Sequence, residues 1–217
     1  MIRIKNLFLK YVRQYYALYD INLEIAAGET VAFVGQAESG RTTLLRVLAK
    51  LETPEKGEVY IKNIPLKKLN FAEDVSLGYL PATPIFFEHK TVYENLLYVE
   101  KLQSSRRAHI ESTINQTLID FNIENYKDVM VGELGLFDKY IISLARLSLR
   151  KIDILLVDEV LDNLDNDQRE KIVEILKKHF IAPDSIFILS TKDENLAKEL
   201  CSRQVFFENG SVVEERK

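Results

Sequence analysis

One cysteine stands among the 217 residues. Cys201 has no second cysteine to pair with, which excludes an internal disulfide and a cysteine-ligated metal cluster and fits a reducing compartment. No apolar run approaches the roughly 18 residues that a membrane span needs. The opening MIRIKNLFLKYV mixes Arg3, Lys5 and Lys10 with apolar positions and lacks a small-residue cleavage site. It reads as a strand rather than a secretion signal. A basic excess is missing too: the net charge is −4, which argues against a dedicated nucleic-acid binder. There is no repeat, low-complexity tract or linker. Glycine is scarce. It occurs 8 times, about half the usual share of roughly 7%, so few positions suit the tight turns that cradle phosphate.

What remains is a core-forming composition, 47% hydrophobic and 29% charged, of a length suited to one domain. MIRIKNLFLK and INLEI alternate apolar and polar residues as half-buried strands do, and EVYIKN repeats that pattern after the turn PEKG. TVAFVG, IDILLVDE and SIFILST are continuous apolar runs, the mark of strands covered on both faces. Helical spacing appears in TTLLRVLAKL, through much of Thr91 to Val131, in KYIISLARLSLRK, from Asn166 to His179, and in ENLAKELC. QVFFENGSVVEE reads as a terminal hairpin. Strands alternating with helices predict an α/β fold with a mostly parallel sheet, carrying a helical insert over about 88–150.

Two segments carry chemistry. GQAESGRTT, Gly35 to Thr43, lies between a buried strand and a helix, the context in which a G-x-x-x-x-G-K-[ST] pattern cradles phosphate. Backbone N–H groups and the helix dipole attract the anion there. Thr42 offers the hydroxyl for Mg²⁺, whereas Arg41 stands where the pattern has lysine, a wide fork in place of a compact ammonium. IDILLVDE ends in Asp158 and Glu159 at the carboxyl end of a strand, where open α/β sheets bind ligands. One carboxylate suits a Mg²⁺ site and the next suits polarising a water. As an isolated pair they read as solvated acids beginning a loop; beside a phosphate loop the functional reading prevails.

With these segments and YALYDINLEIAAGETVAFVG, TVYENL, SLARLSLRKIDILLVDE, DNLD, ILSTKD and FFENGSVVE in order, the chain resembles the ATP-binding subunit of an ABC transporter over essentially its full length. The short chain and the TVYEN and NLD wording are most similar to the cell-division and lipoprotein-release type. The resemblance implies a P-loop NTPase fold: a single domain over 1–217, with an amino-terminal antiparallel β subdomain and a helical subdomain set into the core. It implies ATP and Mg²⁺ as cofactors, and Gly35, Gln36, Ala37, Glu38, Ser39, Gly40, Arg41, Thr42 and Thr43 around the phosphates. Tyr11 would stack on adenine, Thr42 and Asp158 would serve Mg²⁺, and Glu159 would be the catalytic base. Asn163, Leu164 and Asp165 would form the D-loop at a dimer seam. It further implies integral membrane subunits, a homodimer or a heterodimer with a second ABC ATPase, no nucleic acid, and a cytoplasmic position at the inner face of the cell membrane.

The chain also departs from the family. Its Q-loop glutamine falls on Ala82, which has no polar side-chain atom. The signature LSGGQ falls on Leu134, Gly135, Leu136, Phe137 and Asp138, losing the serine and both glycines. The switch histidine falls on Lys192, which attracts a γ-phosphate but accepts no proton-bearing partner. Glycine gives way to Glu38, Lys50, Asn63, Leu136 and Phe137; Asn63 tolerates a left-handed turn, and the others imply altered or abandoned backbone contacts. With Arg41, these losses remove several of the donors that stabilise a transferring phosphoryl group together. They predict weak or partner-dependent ATP hydrolysis. The competing reading is a non-hydrolysing pseudo-ATPase, a structural or regulatory adaptor on its membrane partner. Intact Asp158 and Glu159 favour the first; Arg41, Ala82, the LGLFD loop and Lys192 favour the second. A soluble protein of this family acting on nucleic acid is disfavoured, because such chains carry tandem domains and this one has no basic patch.

Overall fold

Alternation in the first strands turns one face onto a core. A computed structural model describes residues 1–12, 15–101 and 107–217, so the helical reading that falls on 102–106 lies outside the described residues. Strand β1 (Ile2–Val12) pairs antiparallel with β2 (Tyr15–Ile25), and β4 (Lys56–Ile61) and the two-residue β5 (Ile64–Pro65) extend the sheet in the order β2-β1-β4-β5. Strand β2 starts before the segment INLEI, because the pairing of Val12 with Tyr15 carries the hairpin further than alternation alone indicates.

The second sheet is built on the continuous apolar runs. Strands β3 (Thr30–Val34), β6 (Leu77–Leu80), β7 (Ile154–Asp158), β8 (Ile186–Thr191) and β9 (Arg203–Glu208) are parallel, and β10 (Ser211–Arg216) closes one edge antiparallel to β9. Their order is β10-β9-β3-β8-β7-β6. Each inner strand feeds two cores. Val31, Phe33, Ile154, Leu156, Ile186 and Ile188 face the first sheet and helix α1 (Arg41–Leu48). Ala32, Val34, Leu155, Val157, Phe187 and Leu189 face the other helices. That double coverage is why alternation vanishes in these runs.

Between β6 and β7 run helices α2 (Val92–Lys101), α3 (Arg107–Asp120) and α4 (Leu136–Ser148); α5 (Asn166–His179) and α6 (Glu194–Leu200) follow. The TVYEN wording has a local physical basis. Thr91 Oγ1 accepts the Glu94 N–H at 3.1 Å and Glu94 Oε2 accepts the Thr91 N–H at 3.0 Å, a reciprocal cap of α2. Asn95 is buried, and its amide binds the Phe87 N–H and the carbonyls of Phe87, Lys90 and Thr91. Helix α4 begins three residues earlier than the spacing of KYIISLARLSLRK implies, so Leu136, Phe137 and Asp138 form its first turn. Strand β6 has no counterpart in the sequence reading; four residues are too few to show a period.

The backbone corrects one expectation. Glu38, Lys50 and Asn63 all hold the left-handed conformation, with φ of 65°, 58° and 65°. At Glu38 and Lys50 the conformation that favours glycine is therefore kept rather than abandoned. A side chain in that region costs about 1–3 kcal/mol. Cys201 is buried, and burial pushes its thiol up to about 12.

Glu38→Gly relieves that strain at the expense of greater freedom in the unfolded chain. It should stabilise the fold by about 1 kcal/mol, read as a rise of roughly 2–4 °C in Tm. Asn95→Ala strips partners from buried backbone groups and should cost about 2–3 kcal/mol, read in urea unfolding.

Candidate functional site

Parallel pairing in the order β3-β8-β7 brings three strand ends to one edge of the sheet. Gly35 follows β3, Lys192 follows β8, Asp158 ends β7 and Glu159 follows it. The loop from Gly35 then turns back tightly. A Cβ on Gly35 would lie 2.5 Å from the Phe207 carbonyl and 2.8 Å from Ser39 Oγ. Gly40 has φ of 102°, and a Cβ there would lie 2.6 Å from the Ala17 carbonyl. Ser39 N–H bonds to the Gln36 carbonyl at 3.2 Å, and the Ser39 carbonyl accepts from Gly210 N–H at 3.0 Å. Helix α1 opens directly on this loop, with no side-chain cap and no acid in its first turn. Its first N–H groups and positive dipole end face the loop, the arrangement that receives an anion.

Arg41, the first residue of α1, folds into the loop and is 3% exposed. Its Nε donates to Ser39 Oγ at 3.1 Å. Nη2 donates to the Gln36 carbonyl at 3.1 Å and to Glu159 Oε1 at 2.8 Å. Nη1 is enclosed and has no hydrogen-bond partner among the described residues. Burial lowers the pKa of this guanidinium, and the charges of Glu159, Asp162 and Asp158 raise it. An unmet buried donor costs about 1–3 kcal/mol, more when charged. A phosphate oxygen is the kind of acceptor that a guanidinium donor pairs with.

Beside it, Asp158 is buried and bonded at both oxygens. Thr42 Oγ1 donates to Oδ1 at 2.9 Å and Tyr79 Oη donates to Oδ2 at 2.9 Å. Burial first, and then the Asp158 charge, push the Tyr79 pKa upward, so the phenol stays a donor. Among the described residues no group of three or more His, Cys, Asp or Glu side chains converges as a metal cage. A hydroxyl and one carboxylate are hard oxygen donors, the kind of set that holds Mg²⁺ when substrate phosphates supply further ligands. Glu159, with φ of 53°, donates its N–H to the Ser190 carbonyl at 3.1 Å, and its carbonyl accepts from Asn163 Nδ2 at 3.1 Å.

The other predicted residues distribute as follows. Tyr11 is 56% exposed and its hydroxyl lies 3.4 Å from Thr43 Oγ1, so its ring stands over the loop. It lines both a cleft of about 1170 Å³ with Gly35, Gln36, Ala37 and Lys192, and a smaller one of about 240 Å³ with Arg41, Thr42, Thr43 and Glu159. Lys192 is exposed and its N–H bonds Asp162 Oδ2 at 3.0 Å. Asp162 also accepts from Thr191 Oγ1, tying the end of β8 to the turn after β7. Asp165 caps α5 through Gln168 N–H at 2.9 Å, and Leu164 is buried. Ala82 accepts the buried Tyr140 hydroxyl at its carbonyl. Leu134 and Phe137 pack on the core, Gly135 caps α4, and Leu136 is exposed. Neither Ala82 nor residues 134–138 line the two clefts. Sequence reasoning missed Tyr79 and Asp162. VSLGYL was a faint signal for the first; the second shows in the sequence only as the start of the polar turn DNLD.

The ABC transporter family profile matches residues 18–162. The chain is 29% identical over 215 residues to the probable sulfate/thiosulfate import ATP-binding protein CysA of Chlorella vulgaris, covering 98% of this chain and 89% of that one. It is 29% identical over 216 residues to the ABC-type organic anion transporter ABCA8A of Mus musculus; that match covers 97% of this chain but spans only 13% of the mouse protein. Among solved structures, the ATP-binding cassette MJ0796, dimeric and bound to ADP and Pi, superposes with a TM-score of 0.86 at 25% identity, covering 100% of this chain and 98% of that one. CbiO1 of Clostridium perfringens, part of the transporter complex CbiONQ, superposes with a TM-score of 0.83 at 22% identity, covering 99% and 87%. A loop shaped for an anion, an acidic strand end beside it, and a profile matching most of the chain converge: this protein belongs to the ABC transporter family, as an ATP-binding domain.

Proposed function

We propose that the protein binds ATP with Mg²⁺ as the nucleotide-binding subunit of an ABC-type membrane complex, and that it hydrolyses ATP weakly or only with a partner. The observation that carries this reading is the Thr42–Asp158 pair set beside a loop whose buried Arg41 keeps one donor, Nη1, unmet. MJ0796, bound to ADP and Pi, supports a nucleotide as the ligand. Residues 35–43 wrap the phosphates, Tyr11 offers its exposed face to adenine, and Lys192, which lines the same cleft, adds positive charge. Thr42 and Asp158 hold Mg²⁺, which when bound neutralises phosphate charge. Tyr79 fixes the orientation of Asp158, and Glu159, once free of Arg41, takes a proton from water.

The fold has no described helix long and apolar enough to cross a membrane. We place the subunit at the inner, cytoplasmic face of a membrane, held by integral membrane subunits and paired with itself or with a second ABC ATPase. Residues 134–138 lie away from the chain's own clefts, which supports their meeting the site of the other cassette; there Leu136, Phe137 and Asp138 have no serine hydroxyl or bare glycine backbone to offer. In a homodimer both sites share that defect. In a heterodimer this chain's loop and Glu159 meet an intact signature.

One observation favours the adaptor reading instead. Glu159 is bound to Arg41 at 2.8 Å, so the candidate base is already engaged. Turnover decides between the two. The protein alone should bind MgATP weakly and hydrolyse it barely above background, and Glu159→Gln should abolish what a competent partner restores. Robust turnover by the protein alone that depends on Glu159 would sink the degenerate-site argument; absence of nucleotide binding even with partners would favour the adaptor. Tyr79→Phe removes an outer hydrogen bond to the cation ligand and should weaken the Mg²⁺-dependent part of ATP affinity about tenfold, leaving affinity in EDTA unchanged by titration calorimetry.

A further inference from the structure

Arg41 is engaged in three directions at once. Nε holds Ser39, and Nη2 is shared between the Gln36 carbonyl and Glu159 Oε1. A planar fork can make this set of bonds; a single ammonium presents its donors from one point. Both main-chain groups of Glu159 are anchored, N–H to Ser190 and carbonyl to Asn163, which leaves its side chain as the part able to move. That side chain is 35% exposed, so it has solvent to swing into, while Arg41 has none. Asp158, next in the chain, is held by Thr42 and Tyr79 and makes no such pair among the described residues. The arginine thus restrains one acid of the two, the candidate base, and spares the candidate cation ligand.

We propose that Arg41 and Glu159 form a nucleotide-responsive gate. The guanidinium holds the Glu159 carboxylate; a phosphate bound in the loop beside both residues competes for the same cation and releases Glu159 to act as a proton acceptor. The proposal rests on the nucleotide reading above and adds a regulation of that site. It explains a loss and a retention together: the substitution that replaces the expected lysine also supplies the restraint on an otherwise intact Asp158–Glu159 pair. Competition of two anions for one buried cation makes the ion pair and nucleotide binding mutually antagonistic, and by linkage each weakens the other.

The test is a double-mutant cycle on ADP affinity in EDTA, where neither hydrolysis nor Mg²⁺ contributes. The chains are wild type, Arg41→Gln, Glu159→Gln and the double variant. Glu159→Gln should tighten ADP about three- to tenfold in the wild-type background and much less when Arg41 is gone. Glu38→Gln controls for charge alone: it removes one carboxylate from the exposed side of the loop and should tighten ADP less than Glu159→Gln. That comparison needs no Arg41 variant, so it stands even if Arg41→Gln does not fold. Additive effects in the cycle, or equal tightening by Glu38→Gln, would overturn the gate while leaving the nucleotide site in place. Failure of every chain, wild type included, to bind ADP would overturn the nucleotide reading and the gate with it.

Discussion

The site depends on β8 lying between β3 and β7. In that order Val34 pairs with Thr191 and Asp158 pairs with Ser190, so the phosphate-type loop, the Lys192 turn and the acidic pair all leave the sheet at one level. Register carries this arrangement: a one-residue slip of a parallel strand would exchange its two buried faces. Both faces of these strands are apolar and covered, so a slip still leaves them buried and hydrophobicity alone does not forbid it. The bonds at the strand ends do. Gly35 N–H meets the Thr191 carbonyl, Glu159 N–H meets the Ser190 carbonyl, and Asp162 ties Thr191 and Lys192 to the turn after β7. Polar groups at the rim lock what the apolar interior leaves free.

Electrostatics at that rim are unusual for their cost. Arg41 is a full charge almost removed from water, and desolvation of such a group is repaid only by close, well-aligned partners. Burial lowers its pKa, and the charges of Glu159, Asp162 and Asp158 oppose that shift. One guanidinium therefore offsets negative charge at the end of β7, where two adjacent carboxylates lie beside a helix terminus. Removing Arg41 exposes those carboxylates to each other, so its contribution to folding and to ligand binding are two outcomes of one charge balance.

Legibility from the sequence followed the range of the physics. Long apolar runs, alternation and the G-x-x-x-x-G spacing are local patterns, and β3, β7, β8 and the loop from Gly35 to Thr43 lie where they indicate. Thr42 and Asp158 meet in a hydrogen bond that neither segment shows alone. Tyr79 escaped because its importance arises from a partner far away in the chain and on a strand of four residues. The same holds for Asp162, whose polar turn is visible while its two bonds to the end of β8 are not. Arg41 was visible as a substitution, but its engagement of Glu159 needs the fold, since the two are 118 positions apart.

Scarcity of glycine bears on the backbone less than on the chemistry. Glu38, Lys50 and Asn63 keep left-handed φ values, so the chain retains the turn geometry of a glycine-rich cassette while accepting strain where a side chain has been added. Asn is the residue type best suited to that region, and Lys50 is steadied by its ammonium on the Leu69 carbonyl at 2.9 Å. Glu38 has no such compensation among its described contacts and projects a carboxylate beside the loop that receives the anion. Gly35 and Gly40, by contrast, remain glycine at positions where a Cβ would meet a backbone carbonyl within 2.6 Å. The distinction is steric. Where an added side chain strains only its own torsion the frame absorbs it; where it would strike fixed backbone it does not.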